Sequence, residues 1–188
     1  LKDALVEAAR ALIERSGPGG FSLSEAARIV GVTPAAPYRH FTDREALTGE
    51  VAKRGFEIFC GRLAGAWDGG RPEPMEAFRR MGRAYLDFAR REPGYYRSMF
   101  TNAPGAAAGP SAASENAFRI LTDAAAALLR ANGRSDAGAH RLALEIWSLS
   151  HGVAMLMLSG LLRQDPDPDA LLDRAAVNLV RAAVAERP

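Results

Sequence analysis

Between Phe21 and Leu47 the chain reads FSLSEAARIVGVTPAAPYRHFTDREAL, and within that stretch two helix starts flank a helix stop. Ser22 and Glu25 stand at the S-x-x-E spacing of a capping box, in which the serine oxygen takes a free helix amide and the glutamate reaches back to the cap. A helix is therefore expected from about Leu23. Gly31 follows Val30 where the chain must leave that helix with a positive φ, a conformation that a Cβ opposes. Thr33-Pro34 is the second start, with threonine as cap and proline in the first helical position, where its missing N–H costs nothing. The second helix is expected to run to about Phe41. Ala26 and Ala27 let the helices approach closely, and Val30, Val32 and Phe41 supply apolar contacts that fix their crossing. The arrangement is a helix-turn-helix.

The surrounding sequence supplies a frame for this corner. Leu5, Ala8, Ala9, Leu12 and Ile13 recur at helical spacing before the SGPGG break, which completes a three-helix unit closing at Phe41. Thr42-Asp43-Arg44-Glu45 forms another capping box, with Phe41 and Ala46 placed for an apolar staple. The fourth helix carries Leu47, Val51, Phe56, Ile58, Phe59, Leu63 and Trp67 up to DGGRPEP, long enough to serve both the three-helix unit and the helices C-terminal to it. Further helices are expected over Met75–Arg91, as a short turn over Tyr95–Phe100, over Asn116–Ala131, Ala139–Leu162 and Leu171–Ala185. TNAPGAAAGPSAAS, too rich in Gly, Pro, Ala and Ser to pack, reads as a mobile loop. No segment alternates with period two, so the fold class is all-α. The expected domains are 1–46, a helix-turn-helix domain, and 47–188, a larger helical domain.

Composition narrows the function. A chain of 188 residues can bury roughly 70% of its unfolded surface, so neither disulfide nor metal is needed for stability. The single cysteine, Cys60, excludes an internal disulfide, and with no visible signal peptide it points to the cytoplasm. Position 1 is leucine, so a preceding segment is expected. Net charge is only +2, and in residues 1–48 Lys2, Arg10, Arg15, Arg28, Arg39 and Arg44 are matched by Asp3, Glu7, Glu14, Glu25, Asp43 and Glu45. Charge alone does not announce nucleic acid. No nucleophile has a base nearby, no glycine loop cradles phosphate and no carboxylates pair within an apolar segment, so neither an enzyme nor a cofactor is expected. His151 has no second His or Cys at ligand spacing, so no metal is expected.

Leu142–Leu162 is apolar enough to raise a membrane span, but Glu145, His151, Ser148, Ser150, Gly152 and Ser159 argue against it. A helix apolar nearly all round needs its own core on one side and a second subunit on the other. The last helix has the same character. Both are expected to form a four-helix interface in a homodimer, with Leu149, Leu156, Leu172 and Leu179 as its candidate residues.

G-V-T-x-x-x-x-Y-R-H-F-x-x-R-E-x-L, from Gly31 to Leu47, resembles the DNA-binding signature of the TetR-like repressors. Trp147-x-x-x-His151-Gly152 resembles the W-H-G signature of one subgroup's C-terminal domain. The resemblance implies an all-helical homodimer of about nine helices per subunit, with an operator-binding domain and a larger domain holding a small-molecule pocket. Carried over by position, Tyr38, His40 and Arg44 match residues that grip DNA phosphates, and Thr33, Pro34, Ala35 and Ala36 match the tip of the reading helix. Ser22 and Ser24 match positions on the helix before it. The family usually has lysine in place of Arg44 and an aliphatic residue in place of Pro37. Pro37 deletes a helical N–H and pushes Ala36 away from αR, so the first turn is expected to be loose or 3₁₀-like. Pro34, Ala35 and Ala36 offer no hydrogen bond to a base edge, which leaves sequence choice to thymine methyls, DNA shape, Arg39 or a preceding arm.

For the implied pocket the candidates are Phe59, Leu63, Phe78, Met81, Tyr85, Tyr96, Met99, Phe118, Trp147, His151 and Met155. The default role of the aromatic and Met residues is core packing, and the same mixture suits an adaptable apolar pocket. The expected function is a repressor released from a palindromic DNA operator by a small, largely apolar effector. The alternative is a helix-turn-helix protein that binds other proteins without specific DNA affinity.

Overall fold

The computed structural model describes residues 1–100, 112–162 and 167–185. Among them there are eight α-helices, three 3₁₀ turns and no strand, as the absence of period-two alternation predicts. The helices are α1 (Lys2–Ser16), α2 (Leu23–Val30), α3 (Arg44–Trp67), α4 (Pro74–Arg91), α5 (Pro93–Met99), α6 (Ala112–Ala131), α7 (Ala139–Leu158) and α8 (Pro168–Ala185). Residues 101–111 of the expected loop lie outside the described residues, and Ala112–Ser114, also assigned to it, begin α6.

The chain forms two compact units, one of Leu1–Ile58 with Glu92–Ala113 and one of Phe59–Arg91 with Ser114–Pro188. It passes between them inside α3, after Ile58, again between α4 and α5, and a third time near the start of α6, after Ala113. At 24 residues α3 is about 36 Å long.

The first unit is built on α1, whose Leu5, Val6, Ala9 and Ile13 are fully buried. Helix α5 packs along it at close range. A Cβ on Gly94 would lie 2.4 Å from the Arg10 carbonyl oxygen, so only glycine permits that approach. Gly55 of α3 does the same on the other side of α5, where a Cβ would lie 2.9 Å from Met99 Sδ. Tyr96 is fully buried, with its ring 5.0 Å from that of Phe100. Polar contacts reinforce this packing. Tyr95 donates to Glu7 Oε1 at 2.7 Å, and Arg97 donates to the Glu14 carbonyl at 2.7 Å. Burial pushes the Tyr95 hydroxyl up to about 12, and its hydrogen bond to Glu7 adds to the rise. For Glu7, burial acts upward, but the hydrogen bonds from Tyr95 and Arg10 outweigh it and hold the carboxyl below its usual range. Between α1 and α3, Arg54 pairs with Asp3, and Lys2 lies 3.4 Å from Glu50.

The second unit is a layered set of α4, α7 and α8, each packed on the other two. Its core includes Phe59, Leu86, Phe88, Leu128, Leu142, Ala154 and Val180. The Phe59 ring meets Tyr85 edge-on at 5.1 Å and Phe88 at 5.2 Å, geometries that aromatic quadrupoles favour. No helix among the described residues is long and apolar enough to cross a membrane. The expected final stretch to Leu162 stops as helix at Leu158 and continues as a turn through Gly160, where φ is 77°.

Candidate nucleic-acid interface and ligand cleft

The corner of the helix-turn-helix forms as its sequence requires. Ser22 N–H donates to Glu25 Oε2 at 2.8 Å and Glu25 N–H donates to Ser22 Oγ at 3.2 Å, completing the capping box. Gly31 closes α2 at φ 80° and ψ 30°. Val32 N–H reaches the Ala27 carbonyl at 3.0 Å and Gly31 N–H the Arg28 carbonyl at 3.3 Å, the paired bonds of a Schellman ending. Both ends of α2 are thereby fixed, and with them the direction in which the chain leaves.

Two expectations need correction. The second helix is not an α-helix from Pro34 to Phe41 but a 3₁₀ turn, Ala36–Arg39, after a bend at Pro34 and Ala35. Pro34 and Pro37 contribute no N–H, and Ala36 N–H instead closes a tight turn onto the Thr33 carbonyl at 3.0 Å. Pro37 is itself buried and packs the turn onto its unit. The cap of α3 is Asp43 rather than Thr42. Its Oδ1 accepts from Ala46 N–H at 2.7 Å, while Glu45, the expected reciprocal partner, takes Arg44 Nη2 at 2.6 Å.

The 3₁₀ turn presents its polar side chains to solvent. Tyr38 is 60% exposed, and Arg39 and His40 are also exposed. Ser22, Ser24, Thr33, Pro34 and Ala35 are exposed, and Ala36 is half-buried. Arg44 is held differently. Its Nη1 donates to the Gly19 carbonyl at 2.9 Å, so the guanidinium ties the SGPGG break to α3 and spends part of its fork within the chain.

In the second unit a cleft opens between α3, α4, α6, α7 and α8. Its cavity volume is only about 40 Å³. It is a narrow slot rather than an open chamber. Of the expected pocket residues, Phe59, Leu63, Phe78, Met81, Tyr85 and Trp147 line it. Phe118 stacks behind Trp147 at 5.2 Å and does not itself line the slot. His151 is half-buried outside the lining, its imidazole pKa lowered by burial, and Met155 is 48% exposed. Tyr96 and Met99 belong to the first unit, where Tyr96 is fully buried beside Phe100 and Met99 lies against Gly55. The polar part of the wall, Arg79, Arg83, Ser150, Asp169 and Asp173, carries no local signal in the sequence.

Of the expected interface residues, Leu156 is 42% exposed, and Leu149 and Leu179 are half-buried. Leu172 corrects the expectation: it is 2% exposed and lines the slot, so it has no surface to offer a second subunit. The apolar surface of α7 runs instead through Leu144, Met155 and Leu156, with Ser148 and Gly152 exposed between them. Among the described residues no cluster of three or more His, Cys, Asp or Glu side chains is placed to hold a metal.

Residues 5–51 match the family model of the bacterial regulatory proteins of the tetR family, and residues 78–179 match that of the tetracyclin repressor-like C-terminal domain. The chain belongs to the TetR family. It is a helix-turn-helix DNA-binding transcription regulator of that family. Among solved structures, a protein of unknown function from Rhodococcus sp. RHA1 superimposes with a TM-score of 0.82 at 29% identity, covering 96% of this chain and 94% of that one. The HTH-type transcriptional regulator Rv0681 of Mycobacterium tuberculosis is 28% identical over 178 residues, 95% of this chain and 79% of the relative. The HTH-type regulator YobS of Bacillus subtilis is 29% identical over 94 residues. That match spans about half of each protein, 50% of this chain and 48% of the relative.

Proposed function

We propose that this TetR-family regulator is a cytoplasmic repressor that binds a near-palindromic operator as a homodimer and is released by a small, largely apolar effector. The observation that carries the reading is the joining of two sites in one chain. Tyr38, Arg39 and His40 project from a corner whose helix ends are both locked, and a slot with mainly apolar walls lies in the other unit. In functional terms residues 1–46 are the operator-binding domain and 47–188 the effector and dimer domain.

Tyr38, His40 and Arg44 act as a phosphate clamp, with Ser22 and Ser24 beside them. A phosphate suits exposed hydroxyl and imidazole donors, and such contacts fix register without reading bases. Thr33, Pro34, Ala35 and Ala36 face the groove as an apolar tip suited to thymine methyls, with Arg39 as the nearest polar reader. The dimer is supported by the exposed Leu144, Met155 and Leu156 of α7, where Ser148 and Gly152 let a second backbone approach closely. The Trp147, His151 and Gly152 pattern supports membership of the W-H-G subgroup. Two reading heads of such a dimer sit about one helical turn apart, ~34–36 Å. An effector that widens the slot shifts α4, and with it the connection into α5 under the reading head. Release requires the effector to bind the two arrangements unequally, by ~1–3 kcal/mol.

Selection of bound duplexes from a randomised pool at low salt tests this reading. Enrichment of a near-palindrome is expected, and no enrichment at all overturns it. The second reading, a protein-binding module, draws on the balanced charge of residues 1–48 and the absence of a base-edge donor at Pro34–Ala36. It is favoured if no duplex is enriched.

A further inference from the structure

The polar part of the slot's wall carries more information than its apolar part. Arg79 on α4 faces Asp173 on α8 with Nε and Oδ1 3.5 Å apart. Both atoms are shielded from solvent, and neither has a hydrogen-bond partner among the described residues. The neighbouring charges are already engaged, with Arg83 at 3.5 Å from Glu76 and Asp169 at 2.8 Å from Arg90. Arg79 and Asp173 pair with each other, but that ion pair still offers one N–H and one carboxylate oxygen without a hydrogen bond, side by side, at the edge of a slot walled by Phe59, Phe78, Tyr85 and Trp147.

We propose that the effector of this slot is a mainly apolar molecule ending in a neutral group that both donates and accepts, an alcohol or a primary amide, seated against the Arg79–Asp173 pair. The proposal rests on the reading of the slot as the effector site. A hydroxyl oxygen about 2.9 Å from each atom, ordinary hydrogen-bond length, accepts from Arg79 Nε and donates to Asp173 Oδ1, satisfying both at once. A carboxylate at the same place sets like charge against Asp173, and an ammonium sets like charge against Arg79. A headless hydrocarbon leaves this ion pair without a hydrogen bond at either atom, a loss that apolar contacts do not recover. The apolar tail lies along the aromatic walls, and the narrowness of the slot means that those walls part to admit it.

The test is calorimetric titration of the full chain with five probes that share one tail: 4-phenylbutan-1-ol, 4-phenylbutanamide, 4-phenylbutanoate, 4-phenylbutylammonium and butylbenzene. The alcohol and the amide are expected to bind at least ~10-fold tighter than the other three. In the double variant Arg79→Leu with Asp173→Leu, that preference is expected to vanish while butylbenzene binding persists or improves. A carboxylate or ammonium that binds as tightly as the alcohol, or a preference that survives the double variant, overturns the headgroup assignment and leaves the slot as effector site standing. Gly82→Leu and Ala176→Phe fill the slot from α4 and α8. Binding of none of the probes, or binding undiminished in whichever filled variant keeps its helical circular dichroism, overturns the slot reading and this inference together.

Discussion

Replacing Tyr95 by phenylalanine removes one oxygen from the contact between α5 and α1, and the consequence can be worked in two pH ranges. The Tyr95 ring is 6% exposed and its hydroxyl donates to Glu7 Oε1 at 2.7 Å. At neutral pH the substitution deletes a hydrogen bond to a charged acceptor, a class worth ~1.5–3 kcal/mol. Glu7 keeps Arg10 Nε at 2.9 Å and its side chain is half exposed to water, so a cost at or just below the lower end, ~1–1.5 kcal/mol, is expected. At high pH the wild type has a second term. An unfolded tyrosine releases its proton near 10, whereas burial and the Glu7 bond hold Tyr95 protonated to about 12. Between those values the unfolded chain binds fewer protons than the folded one, so stability falls as pH rises, by up to ~2.7 kcal/mol in all. The variant has no hydroxyl and lacks this loss, so its deficit against wild type shrinks above pH 10 and, because the loss exceeds ~1–1.5 kcal/mol, reverses before it is complete. Ultraviolet titration of the phenolate, wild type minus variant, should show a midpoint about 12, and the urea midpoints should approach and then cross over the same range. A difference curve centred near 10, with the two stabilities running parallel in pH, refutes the reasoning.

Other outcomes depend on single residues. Gly31→Ala places a Cβ at φ 80°, costs ~1–2 kcal/mol and weakens DNA binding by misdirecting the turn, measurable as a lowered urea midpoint with a raised Kd. His151 has its pKa lowered by burial, so the folded chain resists its protonation. Stability therefore falls as pH drops below the unfolded value near 6.5, and His151→Gln should flatten the melting temperature between pH 7 and 5. Gly94→Ala drives a Cβ against the Arg10 carbonyl and should detach α5 from α1, seen as faster hydrogen exchange in both helices.

The corner was legible because its signals are local. A capping box and a left-handed glycine state their geometry within a few residues, and Ser22, Glu25 and Gly31 adopt it. Where two local signals compete, sequence fixes only the neighbourhood: Thr42 and Asp43 are both good caps, and the carboxylate takes the role. Pro37 announced a departure from α-helix but not its length, since that depends on how deeply the ring buries. The placement of Tyr96 and Met99 was not legible at all. Their periodicity states that they face inward, not which neighbour receives them, and for Met99 the contact comes from Gly55, far away in the chain. Leu172 presents the same ambiguity, because a helix with two apolar sides does not say which one meets its own core. Arg79 and Asp173 read as ordinary charges on helix surfaces, and only the packing of α4 against α8 turns two of their atoms inward.

In the proposed function Tyr38 of the exposed 3₁₀ turn and His40 just after it hold DNA phosphates. The direct measurement is fluorescence anisotropy of the full chain on a selected duplex, comparing wild type with the double variant Tyr38→Ala, His40→Ala. Both side chains are exposed, so the fold and its melting temperature should be unchanged. Two hydrogen bonds to charged phosphates at ~1.5–3 kcal/mol each predict a Kd raised at least 100-fold. A Kd within twofold of wild type contradicts the account.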